Sequence, residues 1–279
     1  MAVRATVHEN GLSFCMNPTI KLSSPATREF WEIPVLFEDA HLLALDKPAG
    51  LLVSPDRLAP ERPALMPLLH AGIAAGKSWA TERGLEYLSN VHRLDAETSG
   101  VLMLARNKPA LIKLADLFGS EKPVRKYVAL VQGSPDDEQF ETDAKLSPHP
   151  GQPGLMRIEL RRGKKSHTKF EVRERYSRWT LLNCLLLTDR THQVRIHLRF
   201  VGLPVVGDAL YAGKPLWLSQ LKPDYRLKPG HEERPLISTA AVHAEELSLP
   251  HPITGETITI TASWPKDLKV AVKYLRMYG

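Results

Sequence analysis

The stretch that most constrains this chain is VHRLDAETSGVLMLA, Val91 to Ala105. It sets His92, Arg93, Asp95, Glu97, Thr98 and Ser99 directly against an apolar run. Such a polar cluster is a poor way to build a core. It is a good way to present side chains from a loop carried on a rigid scaffold. The structural alternative is a capped turn, with Asp95 or Thr98 satisfying backbone groups and Gly100 supplying the bend.

A second constraint comes from THQVRIHLRFVG. Thr191 is a suitable helix cap, Gly202 a stop, and Pro204 lies just beyond. On a helix, His192, Arg195 and Arg199 share one narrow stripe, with Val194, Leu198 and Val201 opposite. Cations on a mostly buried helix are costly without partners, so a carboxylate or a phosphate must face that stripe.

Around these two segments, helix and strand patterns intermingle without regular alternation. Residues 1–33 read as an irregular entry. Val35 to Val53 reads as a strand hairpin followed by a tight loop at Pro48 and Gly50. A loop at 54–63 leads into an apolar helix from Ala64 to Ala75. Val101 to Asn107 is a buried strand, and KPALIKLADLFG a helix with Asn107 as candidate cap. Lys126 to Gly133, His167 to Tyr176 and WTLLNCLLLT are further strands. Residues 213–239 read as a long loop, and a terminal helix begins near Pro265. The expected class is α+β: a mixed, largely antiparallel sheet with flanking helices and loops. The organisation expected is an extension at 1–34, with no separate RNA-binding domain, and one catalytic domain at 35–279.

Composition narrows the partners. The apolar fraction is 43% and the charged fraction 24%, which suits a globular fold. Cys15 and Cys184, far apart in sequence, suggest reduced thiols. No Cys/His set has zinc-site spacing, and no glycine-rich phosphate loop follows a strand. Neither a metal nor another cofactor is expected. No signal-peptide core or membrane-length apolar run is present, so the expected location is the cytoplasm, away from membranes. The formal net charge of +6 favours a polyanionic partner.

HRLDAETSG resembles the catalytic motif of the RluA-type pseudouridine synthases: His-Arg-Leu-Asp, two variable residues, then Thr-Ser-Gly. LDKPAGLLV, RKYVALVQG, RTHQVRIHLRFVGLPVVGDALY and VHAEELSLPHPITGE resemble further elements of that family, in the same order. The resemblance runs from about Val35 to the C-terminus. It implies an enzyme that isomerises uridine in structured RNA, rRNA or tRNA, acting as a monomer. It assigns the essential aspartate to Asp95, the active-site tyrosine to Tyr127 and the arginine to Arg195, which makes Asp95 the carboxylate that the basic stripe calls for. The target base must leave its stack, and Arg93, with His92 beside it, is the candidate to fill the gap. His92, Arg93, Thr98, Lys126, Lys164, Lys165, His192 and Arg199 are expected RNA contacts. Basic runs at 122–126, 161–165 and 173–178, with Lys214, Lys222, Arg226 and Lys228 of the long loop, are expected to add phosphate contacts.

Asp189 stands where the family usually has Gly. It could pair with Arg190 or alter the helix entry. The residues fit two other classes less well. A non-catalytic RNA-binding or ribosome-assembly factor would not need Asp95, Tyr127 and Arg195 together. A glycosidase needs two carboxylates across the bond, and Glu97 lies at a position the family leaves variable. A nuclease would usually need a metal site with several acids. Exhaustive chelation should leave pseudouridine formation unchanged once the RNA is folded. Nucleoside analysis with and without EDTA tests this, and a strict requirement for a divalent ion would contradict it.

Overall fold

A computed structural model describes residues 19–227 and 230–279. The expectations for Cys15 and Lys228 fall outside these residues. In chain order the strands are β1 (Thr19–Ser24), β2 (Glu29–Glu38), β3 (Leu42–Lys47), β4 (Ser89–Asn90), β5 (Ser99–Ala105), β6 (Val124–Gln132), β7 (Gln139–Thr142), β8 (Leu146–Pro148), β9 (Met156–Ile158), β10 (Thr168–Arg175), β11 (Trp179–Leu186), β12 (Val242–Pro250) and β13 (Thr257–Thr261). The helices are α1 (Leu65–Ala74), α2 (Ser78–Thr81), α3 (Lys108–Gly119), α4 (Gln193–Phe200), α5 (Leu218–Leu221) and α6 (Lys266–Tyr278). A 3-10 turn spans Ala209–Tyr211.

The main sheet has the order β1-β2-β3-β5-β12-β6-β11-β10-β7, with β4 beside β5 and β13 beside β12. Only the β5–β12 pair is parallel, so the sheet is mixed and largely antiparallel, as expected. Its centre is buried on both faces. Leu43, Leu45, Leu102 and Leu104 pack with α1, α2 and α6. The alternate residues Leu42, Ala44, Val101 and Met103 pack with α3 and β13. This period-two split is why β3 and β5 read as continuous apolar runs.

Three expectations need correction. Residues 19–33 are not irregular: β1 and the first half of β2 extend the sheet by an antiparallel pair that buries Ile20, Leu22 and Ile33. Alternation at 19–24 marks β1, but charged residues at 21, 28, 29 and 32 hide it. The stretch 213–239 contains α5 and is anchored by buried Leu216, Leu221 and Ile237. Thr191 does not cap α4, because the helix begins one residue later, from His192 in the left-handed region at φ 56°.

Other local signals hold. Asn107 is extended, and its side chain accepts from the Ala110 N–H at 3.0 Å, so α3 starts where the cap predicts. Gly100 lies at φ +114°, where β5 meets β12, and a Cβ there would sit 2.2 Å from the Ala244 carbonyl oxygen. Neither the angle nor the contact tolerates a side chain. The Gly of the Thr-Ser-Gly motif is therefore a packing requirement of the parallel strand pair. Gly100→Ala should destabilise the fold by about 2–4 kcal/mol through strain and overpacking. Urea unfolding measures this, and an unchanged midpoint would contradict it.

Candidate active site

The loop between β4 and β5 carries Asp95, and backbone bonds hold it from both sides. Thr98 N–H donates to the Asp95 carbonyl at 3.1 Å. The Ala96 carbonyl accepts from the Gly50 N–H at 2.8 Å and from Lys47 Nζ at 3.1 Å. Lys47 is fully buried and also donates to the carbonyls of Leu51 and Pro48, at 2.7 and 2.8 Å. Burial pushes its ammonium down to about 7, against the opposing pull of Asp95 and Glu97. The Lys-Pro-x-Gly turn and the aspartate loop are thus stapled together by one side chain.

His92 Nε2 accepts from the Met103 N–H at 2.9 Å, and its ring stacks on Phe118 at 4.8 Å. Burial, with Arg125 nearby, lowers its pKa to about 3, so the ring is neutral. Ser99 donates to His243 Nδ1 at 2.9 Å, while His243 Nε2 donates to the Ala262 carbonyl at 3.2 Å. These two histidines pin the ends of the motif to the scaffold.

Helix α4 brings in the cation. Its first residue, Gln193, donates to the carbonyls of Thr188 and His167 and to the Thr168 hydroxyl, and accepts from the Thr188 hydroxyl. His197 donates to the Ala144 carbonyl at 2.9 Å and accepts from the Thr168 hydroxyl. The polar residues that looked out of place on an apolar helix are its anchors.

Arg195 is 2% exposed. Its Nε and Nη2 each lie 2.7 Å from an oxygen of Asp208, a bidentate pair, and its Nη1 lies 3.4 Å from Asp95 Oδ2. Burial works against the guanidinium charge, but the bonds and charge of Asp208, and the charge of Asp95, raise its pKa above the usual value. The Tyr211 ring lies under the guanidinium, 5.1 Å from centroid to Cζ. Tyr211 accepts from the Met156 N–H at 3.0 Å and donates to His192 Nδ1 at 2.8 Å. That tautomer leaves a proton on His192 Nε2, which faces Asp95 Oδ1 at 3.9 Å. Burial lowers the His192 pKa, so the ring is a neutral donor beside the carboxylate.

The stripe's carboxylate is therefore first Asp208 and only second Asp95. Asp208 and Tyr211 were not picked out in the sequence. The available signal was a lone carboxylate inside the apolar run LPVVGDALYAG.

Asp95 opens onto a narrow cleft of about 30 Å³, walled by Tyr127, Leu186, Val242, Thr98 and Asp189. Tyr127 is 8% exposed, and burial, with Asp189 and Asp95, raises its pKa, so it stays a phenol. Two wider grooves meet at Asp95. One, of about 830 Å³, includes His92, Phe118, Lys164 and Arg190. The other, of about 570 Å³, includes Ser54, Arg62, Glu97 and Leu155. Arg93, Asp95 and Thr191 line both. Arg93 donates to the Thr191 hydroxyl at 2.7 Å across this junction.

The other expected contacts do not gather here. Lys126 points to the face of β6 opposite Tyr127 and pairs with Glu246 at 2.8 Å. Lys165 and Arg199 are exposed and line neither groove. Arg173 and Arg175 pair with Glu245 and Glu138. A hollow of about 920 Å³ on the Lys126 face has its cations Lys126, Lys169 and Arg173 each paired with a glutamate. Asp189 pairs with Arg125 at 3.2 Å, while Arg190 Nη1 reaches only the Asp189 backbone carbonyl.

The family described as RNA pseudouridylate synthase matches residues 41–200. Ribosomal large subunit pseudouridine synthase D of Zymomonas mobilis is 32% identical over 269 residues, covering 94% of this chain and 79% of the relative. Ribosomal large subunit pseudouridine synthase C of Escherichia coli K12 is 32% identical over 251 residues, covering 87% and 70%. The human RNA pseudouridylate synthase domain containing 4 shares the fold, with a TM-score of 0.63 at 22% identity over 87% of this chain and 92% of that one. The chain belongs to the RNA pseudouridylate synthase family, in its RluA-type branch. It is an isomerase that converts uridine in RNA to pseudouridine. No helix among the described residues is long and apolar enough to cross a membrane.

Removing Asp208 leaves a buried cation with one distant partner. Asp208→Ala should cost about 3–5 kcal/mol of stability. Lys126→Ala, at an exposed pair, should cost under about 1 kcal/mol. Equal losses in denaturant unfolding would contradict the clamp.

Proposed function

We propose that Asp95 is the essential carboxylate of a cytoplasmic, monomeric enzyme that isomerises a uridine of large-subunit ribosomal RNA. The observation that carries this reading is the Asp95 carboxylate at the mouth of a narrow cleft, 3.4 Å from an arginine whose charge is already held by another acid. The choice of rRNA over tRNA follows the names of the relatives.

The reaction moves the uracil from a nitrogen to a carbon link. Asp95 acts on the sugar, at the anomeric carbon or by taking the proton of the adjacent carbon. The C–N bond breaks, the base turns within the cleft, its C5 bonds to the anomeric carbon as the Asp95 ester bond breaks or the proton taken by Asp95 returns to the adjacent carbon, and the C5 proton is released. Arg195 Nη1, 3.4 Å from Oδ2, orients the carboxylate. With the base in place, the apolar walls at Leu186 and Val242 help exclude the water that would trap an open glycosyl intermediate. Tyr127, held as a phenol by burial, offers a ring against the turning base rather than a phenolate.

The cleft of about 30 Å³ has room for a water or two, so the walls must part to admit uracil. The Arg93–Thr191 bridge lies at the junction through which the base would enter. Its release frees the guanidinium to fill the gap left in the RNA. Arg93, Lys164 and Arg190 supply phosphate contacts along the groove, and Thr98 and His192 complete its inner wall. Lys126, Lys165 and Arg199 play no part in this arrangement.

Asp95→Asn should abolish pseudouridine formation while leaving RNA affinity within about twofold, because an uncharged isostere keeps the shape of the cleft. The measurement is nucleoside analysis of ribosomal RNA beside a binding titration. Substantial turnover by folded Asp95→Asn protein would overturn the assignment.

A further inference from the structure

Asp189 adds a carboxylate to the wall that the catalytic scheme does not use. It leaves β11 just before α4, where the chain passes between the inner cleft and the wider groove, and its side chain lines both. One oxygen, Oδ2, accepts from Arg125 Nη1 at 3.2 Å. Arg125 is 3% exposed, and among the described residues its Nε and Nη2 have no partner, so its one bond, to Oδ2, orients the carboxylate. The other oxygen, Oδ1, accepts no hydrogen bond among the described residues, and the side chain is 32% exposed.

A carboxylate is an odd component of a groove that must hold RNA. Phosphates are drawn by Arg93 and Lys164 along the same wall, where Arg190 is paired with Glu121 at 3.2 Å, and Asp189 repels them. What it can accept is a hydrogen bond from a donor on the RNA. Bases supply strong ones: exocyclic amines donate to carboxylates, whereas uracil presents no amine. A base without a donor would leave the acceptor desolvated and unpaired, and such sites discriminate more sharply than apolar ones. The cations position the strand, and the carboxylate reads it.

We propose that Asp189 is a specificity residue, whose Oδ1 accepts from the exocyclic amine of the nucleotide next to the target uridine. Arg125 is its positioning residue. This rests on the reading that the cleft takes uridine from RNA, and it adds which neighbours the enzyme accepts.

The test is affinity for short RNAs carrying one uridine flanked on either side by adenosine, cytidine, guanosine or uridine. In matched RNAs, nebularine, zebularine or inosine replaces the amino-bearing nucleotide, which deletes the amine alone. Wild-type protein should bind an amino-bearing neighbour about tenfold more tightly than its amine-free counterpart at one flanking position. Asp189→Gly should bind both equally. Wild-type indifference to every amine deletion overturns the proposal, and that arm does not depend on the variant folding. Loss of affinity on 2′-deoxy substitution instead of amine deletion also overturns it, since the donor would then be the ribose. An unaltered preference in folded Asp189→Gly protein overturns it as well. Pseudouridine formation by wild type, assayed on ribosomal RNA in parallel, separates these outcomes from failure of the functional reading.

Discussion

The bidentate pair between Arg195 and Asp208 is the interaction on which the site depends. A guanidinium cannot give up its proton at any working pH, so once buried it must be matched by an anion. If Asp95 were the only match, it would be locked in a tight ion pair and drained of reactivity. Asp208 takes two of the three nitrogens at 2.7 Å, and only Nη1 is left to face Asp95 at 3.4 Å. The Asp95 carboxylate thus has a cation near enough to orient it, without being locked in a bidentate pair. Tyr211 supports the guanidinium from below and fixes the tautomer of His192, so the same residue serves both groups that face Asp95.

The scaffold delivers these groups from distant points of the chain. Asp95 comes from a loop stapled by Lys47, Arg195 from a helix anchored through Gln193 and His197, and Tyr127 from the centre of β6. The parallel contact of β5 with β12 is what aligns the aspartate loop with β6, because β12 lies between them. Gly100 makes that contact possible at its tightest point. Substrate chemistry and sheet packing therefore meet within a few residues, which explains why one short motif carries both.

Much of this was legible in the sequence, for reasons that differ by element. The cap at Asn107, the apolar runs of β3, β5 and β11 and the basic face of α4 are local patterns, and local chemistry decides them. The requirement that a carboxylate face the α4 stripe was also readable, since it follows from the cost of a buried cation. Which carboxylate meets it was not, because Asp208 approaches through a turn that no period announces. Strand β1 was hidden by charges on its outward face, and β7 to β9 are too short to show a period. The placement of the basic runs is not readable for a related reason. Alternation on β6 sends Arg125 inward and Lys126 to the far face, and a run of charge does not say which side of a sheet it decorates.

The central claim is that Asp208 acts on catalysis through Arg195 alone. The most direct measurement is a double-mutant cycle in single-turnover pseudouridine formation, with Arg195→Met, Asp208→Asn and the two combined. The account predicts that each single change slows the reaction, and that the double variant is no slower than Arg195→Met, because the other bond of the Asp208 side chain, accepted from the Leu210 N–H at 3.2 Å, can be kept by the asparagine oxygen. Losses that add in full would contradict it, and would show that Asp208 and Arg195 serve the reaction independently.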